Sequence, residues 1–148
     1  MTALRETALA AIATRLTAQI PTATVERARR APVDVTKERL PRLVVTGGDL
    51  AADEYNEPGM THYTLDFAVT GHATARTDLA LEQALSDLQA KVTAALAGWQ
   101  PATDNIGNTT EQGAEFVIAD AEESAVPAGM VVCRFSILLI AATGNPFV

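Results

Sequence analysis

Apolar residues recur along this chain at two spacings, and the spacings sort it into elements. Leu9, Ile12, Ala13, Leu16 and Ile20 follow the i, i+3, i+4, i+7 rule of one helix face, which predicts an amphipathic helix over residues 2–19. Thr2 is placed to cap its start and Pro21 to close it. Its polar side carries Thr and Gln rather than the Lys and Arg of a membrane-surface helix, so it is read as packing on a sheet. Leu81, Leu85, Leu88, Val92 and Leu96 predict a second helix over 78–97, capped by Thr77 or Asp78 and stopped by Gly98. Ala84 and Ala95 flank that stripe and allow close packing. Asp87 and Lys91 form an i,i+4 pair on its surface. Trp99 is expected to plug the edge of the core.

The period-2 signal is cleanest over 61–72, where Tyr63, Leu65, Phe67 and Val69 alternate with His62, Thr64, Asp66, Ala68 and Thr70. One buried and one wetter side suit an antiparallel sheet covered on one face. Residues 24–30 predict a charged strand ended by Pro32, followed by a polar loop over 33–41. Residues 42–46 predict a strand stopped by Gly47-Gly48. An acidic exposed loop or hairpin arm is expected over about 47–60, where Pro58-Gly59 marks a turn. A polar loop over 101–112, a strand over 114–121 and a turn over 122–129 come next. A long final strand over 130–142 is apolar on both sides at 137–140, so it sits centrally or turns its outer side to a partner. Residues 144–148 form a short tail. Helices and strands do not alternate regularly. The expected class is therefore α+β, with two helices packed on one face of a mixed, mostly antiparallel sheet of about five strands.

Composition narrows the function classes. The chain has 148 residues, one domain's worth, and 48% hydrophobic residues, enough for a real core. A formal net charge of −7 argues against a general nucleic-acid coat and against attraction to an anionic membrane. The single Cys excludes an internal disulfide and a Cys-cluster zinc site. No apolar run approaches a membrane span, and the alternating charge of the N-terminus is unlike a signal peptide, so a soluble intracellular protein is the expectation. The charge is unevenly spread. Residues 26–42 hold six bases (Arg27, Arg29, Arg30, Lys37, Arg39, Arg42) against Glu26, Asp34 and Glu38, a net +3 that leaves −10 for the remainder. Asp49, Asp53, Glu54 and Glu57 form one acidic run, and Glu111, Glu115, Asp120, Glu122 and Glu123 another.

Candidate chemistry is sparse. Cys133 lies between Val131 and Phe135 in a strand and reads as a buried thiol rather than a nucleophile. His62 and His72 bracket the best strand, roughly 30 Å apart on an extended chain, too far to share a metal, and read as strand-end surface residues. Gly47-Gly48 follows a strand as a phosphate loop would. No Lys-Ser/Thr or helix start follows, however, and Asp49, Asp53 and Glu54 would repel phosphate, so it reads as a strand-ending turn. Asp120, Glu122 and Glu123 match no calcium-loop spacing and read as a solvated turn. No catalytic residue, metal site or cofactor site is assigned. The basic stretch, with Arg27 and Arg29 on one strand side and Arg30 opposite, has three readings: a solvated edge strand, a subunit contact against the acidic loops, or contact with DNA backbone.

Three stretches, LPRLVVTGGDLAADE (40–54), THYTLDFAVTGHATARTDLALEQALSDLQAKVTAALAGW (61–99) and EQGAEFVIADAEESAVPAGMVVCRFSILLIAATG (111–144), together resemble tail terminator proteins of long-tailed phages and of phage-derived gene transfer agents. The element order is similar too, and the likeness spans nearly the whole chain as one tail-terminator-like domain, 1–148. The resemblance implies a hexameric ring that caps the tail tube, ends its polymerisation and joins the head-side connector or stopper protein, with DNA passing through the centre without sequence-specific binding. It implies no enzyme activity, no cofactor and no membrane. The expected location is the tail-neck junction of a virion or gene-transfer-agent particle, assembled in the bacterial cytoplasm. A ring of one chain uses a heterologous interface, which separate basic and acidic clusters suit. Arg27, Arg29 and Arg30 are expected to face Asp49, Asp53, Glu54 or Glu57 of the next copy, and Phe147 and Val148 to dock on the tube protein. Another neck or tail component (a connector stopper or tube protein) and a non-catalytic small-ligand-binding α+β module are the alternatives.

Overall fold

A computed structural model describes residues 1–53, 57–119 and 126–148. The elements are α1 (Leu4–Gln19), β1 (Thr24–Arg27), β2 (Arg42–Ala52), β3 (Met60–Thr74), α2 (Asp78–Leu96), β4 (Ile106–Ile118) and β5 (Ala128–Ala142). The five strands form one sheet in the order β1-β2-β3-β5-β4. β1 runs parallel to β2, and every other pair is antiparallel. Both helices pack on one face, so the α+β class and the mixed, mostly antiparallel sheet are as the pattern predicts.

The core follows from the two periodicities. Leu65, Phe67 and Val69 of β3, Val131, Cys133, Phe135, Ile137 and Leu139 of β5, and Leu43 and Val45 of β2 all point to the helix side and are buried. Leu9, Ile12 and Leu16 of α1 and Leu81, Leu85, Leu88 and Val92 of α2 meet them. Phe67 and Phe135 occupy opposed positions on β3 and β5, and their rings stack at 5.5 Å between centroids. Trp99 packs at the core edge as expected. Arg15 of α1 lies over its ring and donates from Nε to the Ala95 carbonyl oxygen near the end of α2.

Helix ends show where short-range reasoning holds. Thr77 accepts a hydrogen bond from the Ala80 N–H, so it is the cap of α2. Replacing it with alanine should cost about 1 kcal/mol, read as a lower urea midpoint at unchanged slope. Thr2 does not cap α1. Ala3 holds that position with no side-chain bond, and the Leu4 N–H donates to the Pro146 carbonyl oxygen of the tail. The partner is 142 residues away in sequence, beyond the reach of any local capping rule.

Two strand boundaries differ from the pattern. Gly47-Gly48 does not end β2, which runs on to Ala52 through an irregularity in register between Gly47 and Leu50. The glycines serve close approach: a Cβ on Gly47 would sit 2.8 Å from Leu9 Cδ1, and one on Gly48 2.9 Å from the Asp66 carbonyl oxygen. β4 begins at Ile106, inside the stretch read as a polar loop. It is an edge strand whose residues 110–118 are exposed, so only Ile106 and Thr109 carry a burial signal. The expected turn over 122–129 lies partly outside the described residues. The final strand is central, between β3 and β4, and its outward Val132, Leu138 and Ile140 are only partly covered.

Candidate interaction surfaces

The basic segment is built around one arginine. β1 ends at Arg27, and Ala28 takes a left-handed conformation (φ 46°) that turns the chain out of the sheet. Residues 28–41 then cross the outer side of the sheet as a strap. Arg29 and Arg30 therefore belong to this strap and not to a strand, which corrects the reading of an edge-strand charge pair.

The Arg29 guanidinium donates to the carboxylates of Glu26 and Glu38 and to the carbonyl oxygens of Ala31 and Pro32. Arg42 donates to Glu26 as well. The bonds from Arg29 hold the Glu38 carboxyl below its usual range, with the Asp34 backbone N–H adding to the effect. Thr36 holds Asp34 low in the same way. Arg27 pairs with Glu6 of α1 at 3.0 Å. Arg30, Lys37 and Arg39 are exposed and have no ion pair among the described residues. The strap covers Val44 and lies against His72. His72 is consequently only partly exposed, contrary to the surface position expected for it. Burial, followed by the positive Arg29, pushes its pKa down.

The acidic run sits at the other end of β2. Asp49 is in the distal half of the strand and Asp53 just beyond it, both exposed. Glu57 lies in the turn before β3, 3.9 Å from His62. Glu54 lies outside the described residues. Arg5 reaches from α1 to the Gly48 carbonyl oxygen and ties the base of this arm down. Within one chain the arm and the strap do not meet. β2 spans them, and its 11 residues set the ends about 33 Å apart.

The tail is held rather than loose. Phe147 forms a β-bridge with Ala3, and the Val148 N–H donates to the Thr2 carbonyl oxygen. Phe147 and Val148 remain 42% and 47% exposed, which leaves apolar surface near the base of the acidic arm, where the Thr143 N–H donates to the Gly59 carbonyl oxygen. At the opposite end Phe116, Val117 and Ile118 of β4 and Val126 are exposed together. The sequence pattern marks a strand here but not its place at the sheet edge, which is what leaves these residues exposed. Three consecutive large apolar residues on a strand with solvent on both sides were the available signal.

Between the strap and this end of β4 lies an open apolar groove of about 500 Å³, lined among others by Val33, Val35, Val117, Ile118 and Met130. Among the described residues no three His, Cys, Asp or Glu side chains stand together in a way that would hold a metal. Cys133 is buried in the core, and its thiol is pushed up to about 11 by desolvation. No described helix is long and apolar enough to cross a membrane.

The fold and these surfaces define an α+β protein with an acidic and a basic end, each bearing exposed apolar side chains. No known family model and no curated protein sequence matches the chain. Its fold is similar to that of a chain from the virion of a native gene transfer agent (GTA) particle, with a TM-score of 0.55 at 14% identity, covering 90% of this chain and 94% of that one. The likeness is one of fold.

Proposed function

We propose that this chain is a structural subunit of a phage-like particle. In that role six copies close into a ring. The ring caps the tail tube, ends its polymerisation and joins it to the head-side connector or stopper protein at the tail-neck junction. The observation that carries the reading is the end-to-end likeness in fold to a chain of a gene transfer agent virion. The sequence resemblance to tail terminators over 40–144 points the same way. The reading is non-catalytic, with DNA passing through the ring and assembly taking place in the bacterial cytoplasm.

The charge layout suits such a ring. A head-to-tail contact joins two different patches, and here a basic segment and an acidic arm lie at opposite ends of one strand. In the proposed contact, the segment bearing Arg27, Arg29 and Arg30 meets Asp49, Asp53, Glu54 and Glu57 of the next copy. Because Arg27 and Arg29 are engaged within the chain, Arg30 is the residue to reverse without loosening the strap. Phe147 and Val148 are proposed to dock on the tube protein.

Negative-stain imaging of the purified chain, alone and with tail tubes, tests the reading. Closed rings in solution or at tube ends are expected. Rings formed by Arg30→Glu should fall apart at lower salt than the parent's. Monomers that ignore tube ends would overturn the proposal, and open-ended tubes grown from this chain alone would reassign it as a tube protein.

A further inference from the structure

We infer that the apolar groove beside the strap is a socket for the hairpin arm of a second copy of this chain, with Leu50 as the inserted side chain. This rests on the ring-forming reading above and deepens it, since charge alone neither selects a register nor places an apolar residue.

Leu50 is the exposed large apolar residue among the described residues of the arm, 41% accessible, in the run Asp49-Leu50-Ala51-Ala52-Asp53. It projects at the irregularity in β2, where the register shifts between Gly47 and Leu50. An apolar residue set between two carboxylates on an exposed strand end matches a groove that is apolar inside and walled on one side by a segment in which bases outnumber acids. Val33, Val35, Val117, Ile118 and Met130 line the groove. The strap that forms one wall carries Arg30, Lys37 and Arg39, all exposed and without an ion pair among the described residues.

The occupant is a second copy because of where the two features lie. β2 begins beside the groove, with Arg42 paired to His72 and His72 to Met130, and it ends at the arm. A chain cannot place its own Leu50 in its own socket across the roughly 26 Å of strand that separate it from Arg42. Every arm therefore enters the socket of another copy, which is a heterologous contact that closes into a ring when the rotation allows. Arg29 has a part in this. Its four bonded partners keep the strap, and so the groove wall, formed before a partner arrives, and a preformed socket lowers the ordering cost of association.

Two variants of the full chain test the proposal. Leu50→Arg spoils the arm and leaves the socket, whereas Ile118→Glu spoils the socket and leaves the arm. Both positions are exposed, so each variant should keep the parent's circular dichroism spectrum and melting temperature. Each alone should associate at least about tenfold more weakly by sedimentation velocity, in solution or on tube ends if closure needs the tube. Mixed together they should form a one-to-one heterodimer that goes no further, because only one intact arm and one intact socket remain in the pair. Rings from the parent chain that persist unchanged in Leu50→Arg would overturn this inference and leave the ring reading standing. So would a folded mixture that forms no heterodimer. A parent chain that stays monomeric in solution and at tube ends would overturn both.

Discussion

Phe135→Ala is expected to destabilise the chain by about 3–5 kcal/mol, the largest single-residue effect foreseen here. Phe135 is 1% exposed at the centre of β5, and its ring stacks on Phe67 of the neighbouring strand. Truncation removes the transfer free energy of the ring and leaves a cavity between two strands whose other pairs hold them at fixed spacing. The aromatic pair itself adds about 0.5–1.5 kcal/mol beyond the buried area. Melting should drop by roughly 10–15 °C for a chain of this size. Phe116→Ala is the control. That residue is on the adjacent strand β4 and 48% exposed, and its loss should stay within about 0.5 kcal/mol. Urea titrations giving similar midpoints for the two variants would show that the sheet's inner face does not carry the stability.

Arg29→Ala should detach the strap while leaving the sheet intact. The substitution leaves Glu26 and Glu38 facing each other with only Arg42 between them, and it frees the carbonyl oxygens of Ala31 and Pro32. Amide hydrogen exchange over 28–41 should rise steeply, with little change in β3 and β5. Lys at this position should rescue the fold only partly, since an ammonium cannot make the forked contact with a carboxylate.

The effect has a defined pH dependence. The pKa of Glu38 is lowered in the folded state, so its contribution is present above the ordinary value of 4.5. That contribution is lost as pH falls from there through the lowered folded value, because the unfolded chain takes up its proton first. The difference between wild type and Arg29→Ala should therefore be largest above pH 4.5 and shrink below it. His72 acts in a higher window with the same sign. Its lowered pKa contributes stability that is present above 6.5 and lost as pH falls below it. Removing Arg29 takes away one of the charges that depress it, so its titration by NMR should move upward. A His72 titration unmoved by Arg29→Ala would show that the strap does not lie over it.

Much of this was legible in the residues themselves. The 3.6-residue stripes of α1 and α2 and the alternation of β3 name most of their buried positions, since one face of each is apolar and the other is not; Ala13 and Tyr63 are only partly buried, and Leu4 and Ala8 extend the buried face of α1 beyond the stripe. β4 was half missed, over 106–113, because polar residues, two glycines and two irregularities in register with β5 leave no hydrophobic period there to detect. Gly47-Gly48 misled for a different reason. Glycine usually ends a strand, but here it admits Leu9 and the Asp66 carbonyl, two neighbours supplied by other parts of the chain.

The candidate surfaces divide along the same line. The sequence by itself determined that charge is segregated, with a net +3 over residues 26–42 and an acidic run from Asp49 to Glu57. It also determined the α+β class through its two periodicities. Only the tertiary structure decided that Arg29 is engaged inside its own chain, that the strap crosses the sheet over His72, and that the acidic arm and the apolar groove stand at opposite ends of β2. The physical reason is range. Periodicity and charge are properties of neighbours in sequence, whereas a salt-bridged strap, a tail that caps a helix 142 residues away and a groove between two segments exist only once the sheet has brought them together.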